Sequence, residues 1–136
     1  MKIPKFEAPT EWLKPTEFPD LRHVDEIAID LETKDPDLLK KGSGSVIGNG
    51  DVIGIAVATN HYKGYFPIAH EGGGNMDRAK VMSWLKDVLE APSTKVFHNA
   101  IYDVCWLRAL GFKINGNIAC TMIAAAVTDE NRFRYD

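Results

Sequence analysis

A run of seven residues, Ile27-Ala28-Ile29-Asp30-Leu31-Glu32-Thr33, does more than any other stretch to limit what this chain can become. It is apolar and β-branched enough to form a strand, and side chains on a strand alternate between faces. Asp30 and Glu32 therefore project together, while Ile29 and Leu31 point the other way, into a core. Adjacent carboxylates repel each other and resist leaving water unless something positive sits between them. A divalent cation is the commonest relief. A second segment, His98-Asn99-Ala100-Ile101-Tyr102-Asp103, offers further oxygen donors in Asn99 and Asp103.

The 136 residues, 45% of them hydrophobic, suit one domain with a real core. A net charge of −3 gives no basic field for gripping long duplex DNA through many phosphates. It leaves room for an enzyme that holds a few nucleotides through metal ions. Cys105 and Cys120 lack a partner pair and nearby histidines at zinc-ligand spacing, so they read as core thiols. No apolar run is long enough for a membrane span, and the N-terminus lacks a signal-peptide core. The expected setting is the cytoplasm, with no membrane partner.

Residues 1–20 carry four of the seven prolines, with Phe6, Trp12 and Phe18 among them, and read as an extended arm. Residues 21–136 form the domain proper. A strand is expected from Val24 to Thr33, then a mobile glycine-rich loop over 34–50 that lacks the Gly-Lys-Ser/Thr of a phosphate-cradling loop. Val52 to Thr59 and Gly64 to Ile68 read as a hairpin of two strands. Val81, Trp84, Leu85, Val88 and Leu89 have the spacing of one buried helical face, with Asn75 or Asp77 as the cap. Lys95 to Phe97 reads as a strand, Ala100 to Leu110 as a helix closed by Gly111, Ile118 to Cys120 as a strand, and Thr121 to Val127 as a helix. Three strands followed by helix–strand alternation predict an α/β domain with a mixed sheet flanked by helices.

On the predicted helix, Asn99 and Asp103 share a side with Trp106, Leu107 and Leu110, while Arg108 points away. A lone carboxylate on an apolar side is expensive, so Asp103 either bonds a neighbouring loop or belongs to a charged site. Each acidic segment follows a short apolar strand, and strand ends are where open α/β sheets bind ligands. Three converging carboxylates, Asp30, Glu32 and Asp103, suit hard ions such as Mg²⁺ or Mn²⁺. Paired ions roughly 3.5–4 Å apart suit attack of water on a phosphodiester. The alternative is three unrelated surface acids, which a flat Mn²⁺ titration would reveal.

IAIDLET resembles the first motif (Asp-x-Glu-Thr) of the DEDD 3′–5′ exonucleases, and VFHNAIYDVCWLRALG resembles their second. YFPIAHEGGGN, between them, is similar to the proofreading domains of family A DNA polymerases, phage-type ones above all. The resemblance covers roughly residues 20–130 and implies an RNase H-like fold that removes nucleoside 5′-monophosphates from a DNA 3′ end. By position, Asp30 would bridge two divalent cations, Glu32 would bind the nucleophile-side ion and Asp103 the other. Asn99 would position the terminal nucleotides with Thr33 beside them, and the host cytoplasm would be the setting for a phage protein. Tyr102 and Phe66 are candidate platforms for stacking a base, with a place in the core as the alternative for each. The implied partners are a single-stranded DNA 3′ end and the rest of a polymerase.

The family's third motif, Tyr-x-x-x-Asp, does not occur in this chain. Tyr135-Asp136 has the wrong spacing, so the chain is expected to stop short of that motif, leaving the domain incomplete and the piece weakly active on its own. His98 and Asp103 match the His-x-x-x-x-Asp spacing of the histidine branch, but Asp103 is already used by the second motif. Two rivals stay open. One is an RNA-directed or histidine-type exonuclease, distinguished by DNA–RNA competition. The other is a non-catalytic module for DNA-end binding or polymerase docking, whose binding would ignore chelator.

Overall fold

The computed structural model describes residues 12–129. Strand β1 (Glu26–Lys34) leads, followed by two four-residue helices, α1 (Leu38–Lys41) and α2 (Gly44–Ile47). Strands β2 (Asp51–Ala58) and β3 (Lys63–Pro67) precede helix α3 (Arg78–Glu90). Then come β4 (Thr94–Phe97), α4 (Ala100–Ala109), β5 (Ile118–Cys120) and α5 (Thr121–Thr128). The five strands form one sheet in the order β3-β2-β1-β4-β5. β1 with β2 and β2 with β3 are antiparallel, whereas β1 with β4 and β4 with β5 are parallel and reached through helices. This is the mixed, helix-flanked sheet that the strand order predicts.

Alternation along β1 is strict where it matters, with Ile27, Ile29 and Leu31 buried and Ala28, Asp30 and Glu32 exposed. The buried side continues through Ile55, Val57 and Phe66 to Val81, Leu85, Val88 and Leu89 of α3 and Val104 and Leu107 of α4. Asp77 caps α3 by accepting from the Lys80 N–H at 3.1 Å. Asn75, the other candidate cap, instead closes the preceding loop. Its Oδ1 accepts from His70 N–H at 2.8 Å and its Nδ2 donates to the His70 carbonyl at 2.9 Å.

The region 34–50 departs from a mobile loop. Asp35 Oδ2 accepts from the Gly44 N–H at 3.0 Å, and Asn49 Nδ2 donates to Asp37 at 2.8 Å, so the segment folds on itself around α1 and α2. Gly44 is required there, because a Cβ would stand 1.7 Å from the Asn49 carbonyl oxygen. The cysteines also depart from expectation, being half-buried rather than core. For Cys120 the cause is its place at the end of edge strand β5, beside an α5 that buries none of its residues.

Lys95 lies on the core side of β4 and is fully buried. Its Nζ donates to the carbonyls of Ala91, Ser93 (3.0 Å) and Asn115 (2.8 Å), tying the end of α3 to the approach to β5. The described part of the arm lies on the domain. Phe18 stacks on Phe66 with ring centroids 6.0 Å apart, and Trp84 Nε1 donates to the Pro19 carbonyl at 2.7 Å. Pro4, Phe6, Pro9 and the tail Asn131 to Asp136 fall outside the described residues.

Candidate active site

β1 and α4 place the three carboxylates around one gap in the sheet. β4 pairs with β1 only over Glu26–Ala28, so β1 has no neighbour on that side where Asp30 and Glu32 stand. α4 enters beside this gap and brings in Asp103, which is 3% exposed. Its Oδ2 has no hydrogen-bond partner. Burial, and then the charges of Asp30 and Glu32, push the Asp103 carboxyl up to about 7, against the opposing help of the Leu31 N–H. Asp103 therefore feels both acids of β1 across the gap, and no cation among the described residues is hydrogen-bonded to it.

This donor set suits a hard cation, being anionic, all oxygen and including one buried oxygen without a partner. Among the described residues, however, no three His, Cys, Asp or Glu side chains close around one point. Like charges with nothing between them spread apart, and an ion is what draws such a set inward.

Asn99 is not part of the helix. It precedes α4 as an exposed N-cap without a side-chain capping bond, at φ 62° and ψ 59°. It is the sole non-glycine residue with positive φ among those described, a conformation that Asn tolerates better than most. The i, i+4 relation to Asp103 along a helix thus gives way to a strained corner that turns the chain from β4 into α4. Trp106 and Leu107 do share the buried side with Asp103, whereas Leu110, past the end of α4, is exposed.

Thr33 and Tyr102 meet each other. Their hydroxyls lie 2.9 Å apart, and Tyr102 also donates to Asp35 Oδ2 at 2.9 Å. Tyr102 thereby fastens the α1–α2 segment beside the acids, with its ring half-buried. Phe66 is fully buried between Phe18 and Trp84, which removes it as a base platform. His98 is exposed, with Nδ1 3.0 Å from Thr121 Oγ1.

Sequence reasoning missed Tyr65. Its ring lies across Gly54, where a Cβ would stand 1.9 Å from the Tyr65 hydroxyl oxygen. The hydroxyl is hydrogen-bonded to His70 Nε2. Burial, and next the Glu32 carboxylate, push the hydroxyl's pKa above its ordinary value. A glycine diagonal to an aromatic across a hairpin was the available signal. On the other side of Asp30, a shallow groove of about 440 Å³ is floored by Ala28, Ala56, Ala58 and Val96. A larger cavity of about 520 Å³, between α3 and the end of α4, contains none of the carboxylates.

A sequence model of the 3′–5′ exonuclease domain of DNA polymerase A type matches residues 16–136. The chain belongs to this 3′–5′ exonuclease family. It is 38% identical over 81 residues to a DNA-directed DNA polymerase of Pseudomonas phage M6, covering 57% of this chain and 12% of the relative. It is 30% identical over 120 residues to the DNA polymerase DpoZ of Salmonella phage PMBT28, covering 87% of this chain and 17% of the relative. The exonuclease-family chain thus spans less than a fifth of the length of these polymerases. Brucella melitensis NrnC bound to pGG superposes with a TM-score of 0.58 at 22% identity, over 86% of this chain and half of that one. A structure of NrnC with bound Mg²⁺ gives 0.55 at 20% identity, over 85% of this chain and 50% of that one. These likenesses establish an RNase H-like exonuclease fold. Divalent-metal dependence is a property of the family.

Proposed function

We propose that the chain is the proofreading part of a phage DNA polymerase. It would act in the host cytoplasm on a single-stranded DNA 3′ end and release nucleoside 5′-monophosphates. The observation that carries this reading is Asp103, buried with an unpartnered oxygen and within electrostatic reach of Asp30 and Glu32.

Asp30, Glu32 and Asp103 would hold two divalent cations, Mg²⁺ or Mn²⁺. When bound, such ions supply a water of lowered pKa and offset the charge that builds on phosphorus. The rest falls to the chain's own groups. β1 fixes the spacing of Asp30 and Glu32 through its pairing with β2, so the two acids move as a rigid pair. The exposed Asn99 amide, on its αL corner, presents donors to a terminal nucleotide. Thr33 and Tyr102 bind beside it, and their mutual hydrogen bond keeps both from rotating. The alanine-floored groove next to Asp30 offers an apolar bed for a base without selecting among bases.

The test is degradation of a 5′-labelled single-stranded DNA oligonucleotide with Mn²⁺, alongside a Mn²⁺ titration and an Asp30→Ala control. Shortening that starts at the 3′ end and stops in the variant supports the reading. Undiminished shortening in the variant overturns it, as does absence of both shortening and Mn²⁺ binding.

A further inference from the structure

The surroundings of β3 fix one hydroxyl on the face of the sheet that carries Glu32. Gly54 is the cross-strand partner of Glu32, and the space its side chain would fill is taken by the Tyr65 hydroxyl, 1.9 Å from the absent Cβ. Directly opposed side chains in a sheet have Cβ atoms about 4.5–5.5 Å apart, so this hydroxyl stands where a cross-strand neighbour of Glu32 would stand. It is fixed from behind by His70 Nε2. His70 is itself fixed by its two reciprocal bonds with Asn75, and the next residue, Glu71, is ion-paired to Lys34 at the end of β1. The edge of Trp12 packs on the Tyr65 ring at 6.1 Å between centroids.

We propose that Tyr65 is a positioning residue for Glu32, its hydroxyl clamped by His70 so that it steadies this carboxylate in the orientation an ion needs. The proposal rests on the reading of Asp30, Glu32 and Asp103 as a metal site. Outer hydrogen-bond partners of metal-binding carboxylates set their direction, and losing one typically costs 10–100-fold in metal affinity. The role differs from that of a ligand, since Tyr65 acts through Glu32.

Calorimetric Mn²⁺ titration of the full chain tests it, with Asp30→Ala, Tyr65→Phe, His70→Ala and His70→Gln, and with melting curves to show that each variant folds. Tyr65→Phe and His70→Ala are expected to bind Mn²⁺ about tenfold more weakly at nearly unchanged melting temperature. His70→Gln, whose amide reaches the same hydroxyl, should recover most of the affinity. Wild-type affinity in Tyr65→Phe, with binding abolished in Asp30→Ala, overturns the role of Tyr65 and leaves the metal site standing. No Mn²⁺ binding by the wild type, or none lost in Asp30→Ala, overturns both.

Discussion

Thr33 and Tyr102, 69 residues apart in sequence, meet hydroxyl to hydroxyl at 2.9 Å. The same Tyr102 hydroxyl donates to Asp35, whose Oδ1 is buried without a partner and whose Oδ2 also receives the Gly44 N–H. One phenol thus links the end of β1, the start of α4 and the segment carrying α1 and α2. Tyr102→Phe should destabilise the chain by about 1–2 kcal/mol in urea unfolding, the range for losing buried hydrogen bonds. Amide exchange at Gly44 should accelerate more than exchange in α3. Unchanged Gly44 exchange would mean that the segment is held by other contacts.

Asp103 sets a pH dependence of defined sign. Its folded pKa, about 7, exceeds the ordinary 3.8, chiefly through burial and then through Asp30 and Glu32. Between these values the folded chain keeps a proton that the unfolded chain has released, so this group's contribution makes stability fall as pH rises from about 4 to about 7. Asp103→Asn should be more stable than wild type at pH 8 in chelator, by roughly 1–3 kcal/mol, with the gain vanishing near pH 4. Mn²⁺ at pH 8 should stabilise the wild type and leave the variant nearly unaffected. Parallel denaturation curves at the two pH values decide the point.

Gly54→Ala places a methyl group 1.9 Å from the Tyr65 hydroxyl oxygen and 2.4 Å from its ring. The ring has to swing off His70, at an expected cost of about 1–3 kcal/mol, the usual range for overpacking. In a Tyr65→Ala background the same substitution should cost much less. A double-mutant cycle without coupling would contradict the contact.

Lys95→Met retains the aliphatic bulk of a fully buried side chain but strips the donor from three carbonyls. Stranding those acceptors should cost about 2–4 kcal/mol, measured by denaturant midpoint. Lys95→Arg should fare no better, because the larger guanidinium does not fit the three-carbonyl nest.

What could be read from the sequence was what depends on neighbours along the chain. The pairing of Asp30 with Glu32 on one face follows from the strand period, and the buried face of α3 from the helical period. Only existing tertiary contacts could reveal the rest. α1 and α2 have four residues each, too few for a period, and exist because Asp35 and Tyr102 hold them. Asn99 looked helical because its spacing to Asp103 fits a helix, yet the turn out of β4 claims it first. Lys95 sits on an inward position of β4, where a charged residue argues against a core until three carbonyls are seen to receive it. Tyr65 was read only as part of a strand, since neither His70 nor Gly54 announces its company in one dimension.

The early parting of β4 from β1 gives the molecule a built-in reporter. Past Ala28 no strand pairs with that side of β1, and the Leu31 N–H acts on the Asp103 carboxylate strongly enough to oppose the rise in its pKa. Its proton resonance should therefore register the electronic state of that carboxylate directly, moving upfield as the group protonates and moving again when a cation takes its charge. A single backbone signal in the middle of a sheet can thus be followed as a voltmeter for the acidic cleft, without a substrate, a label or turnover.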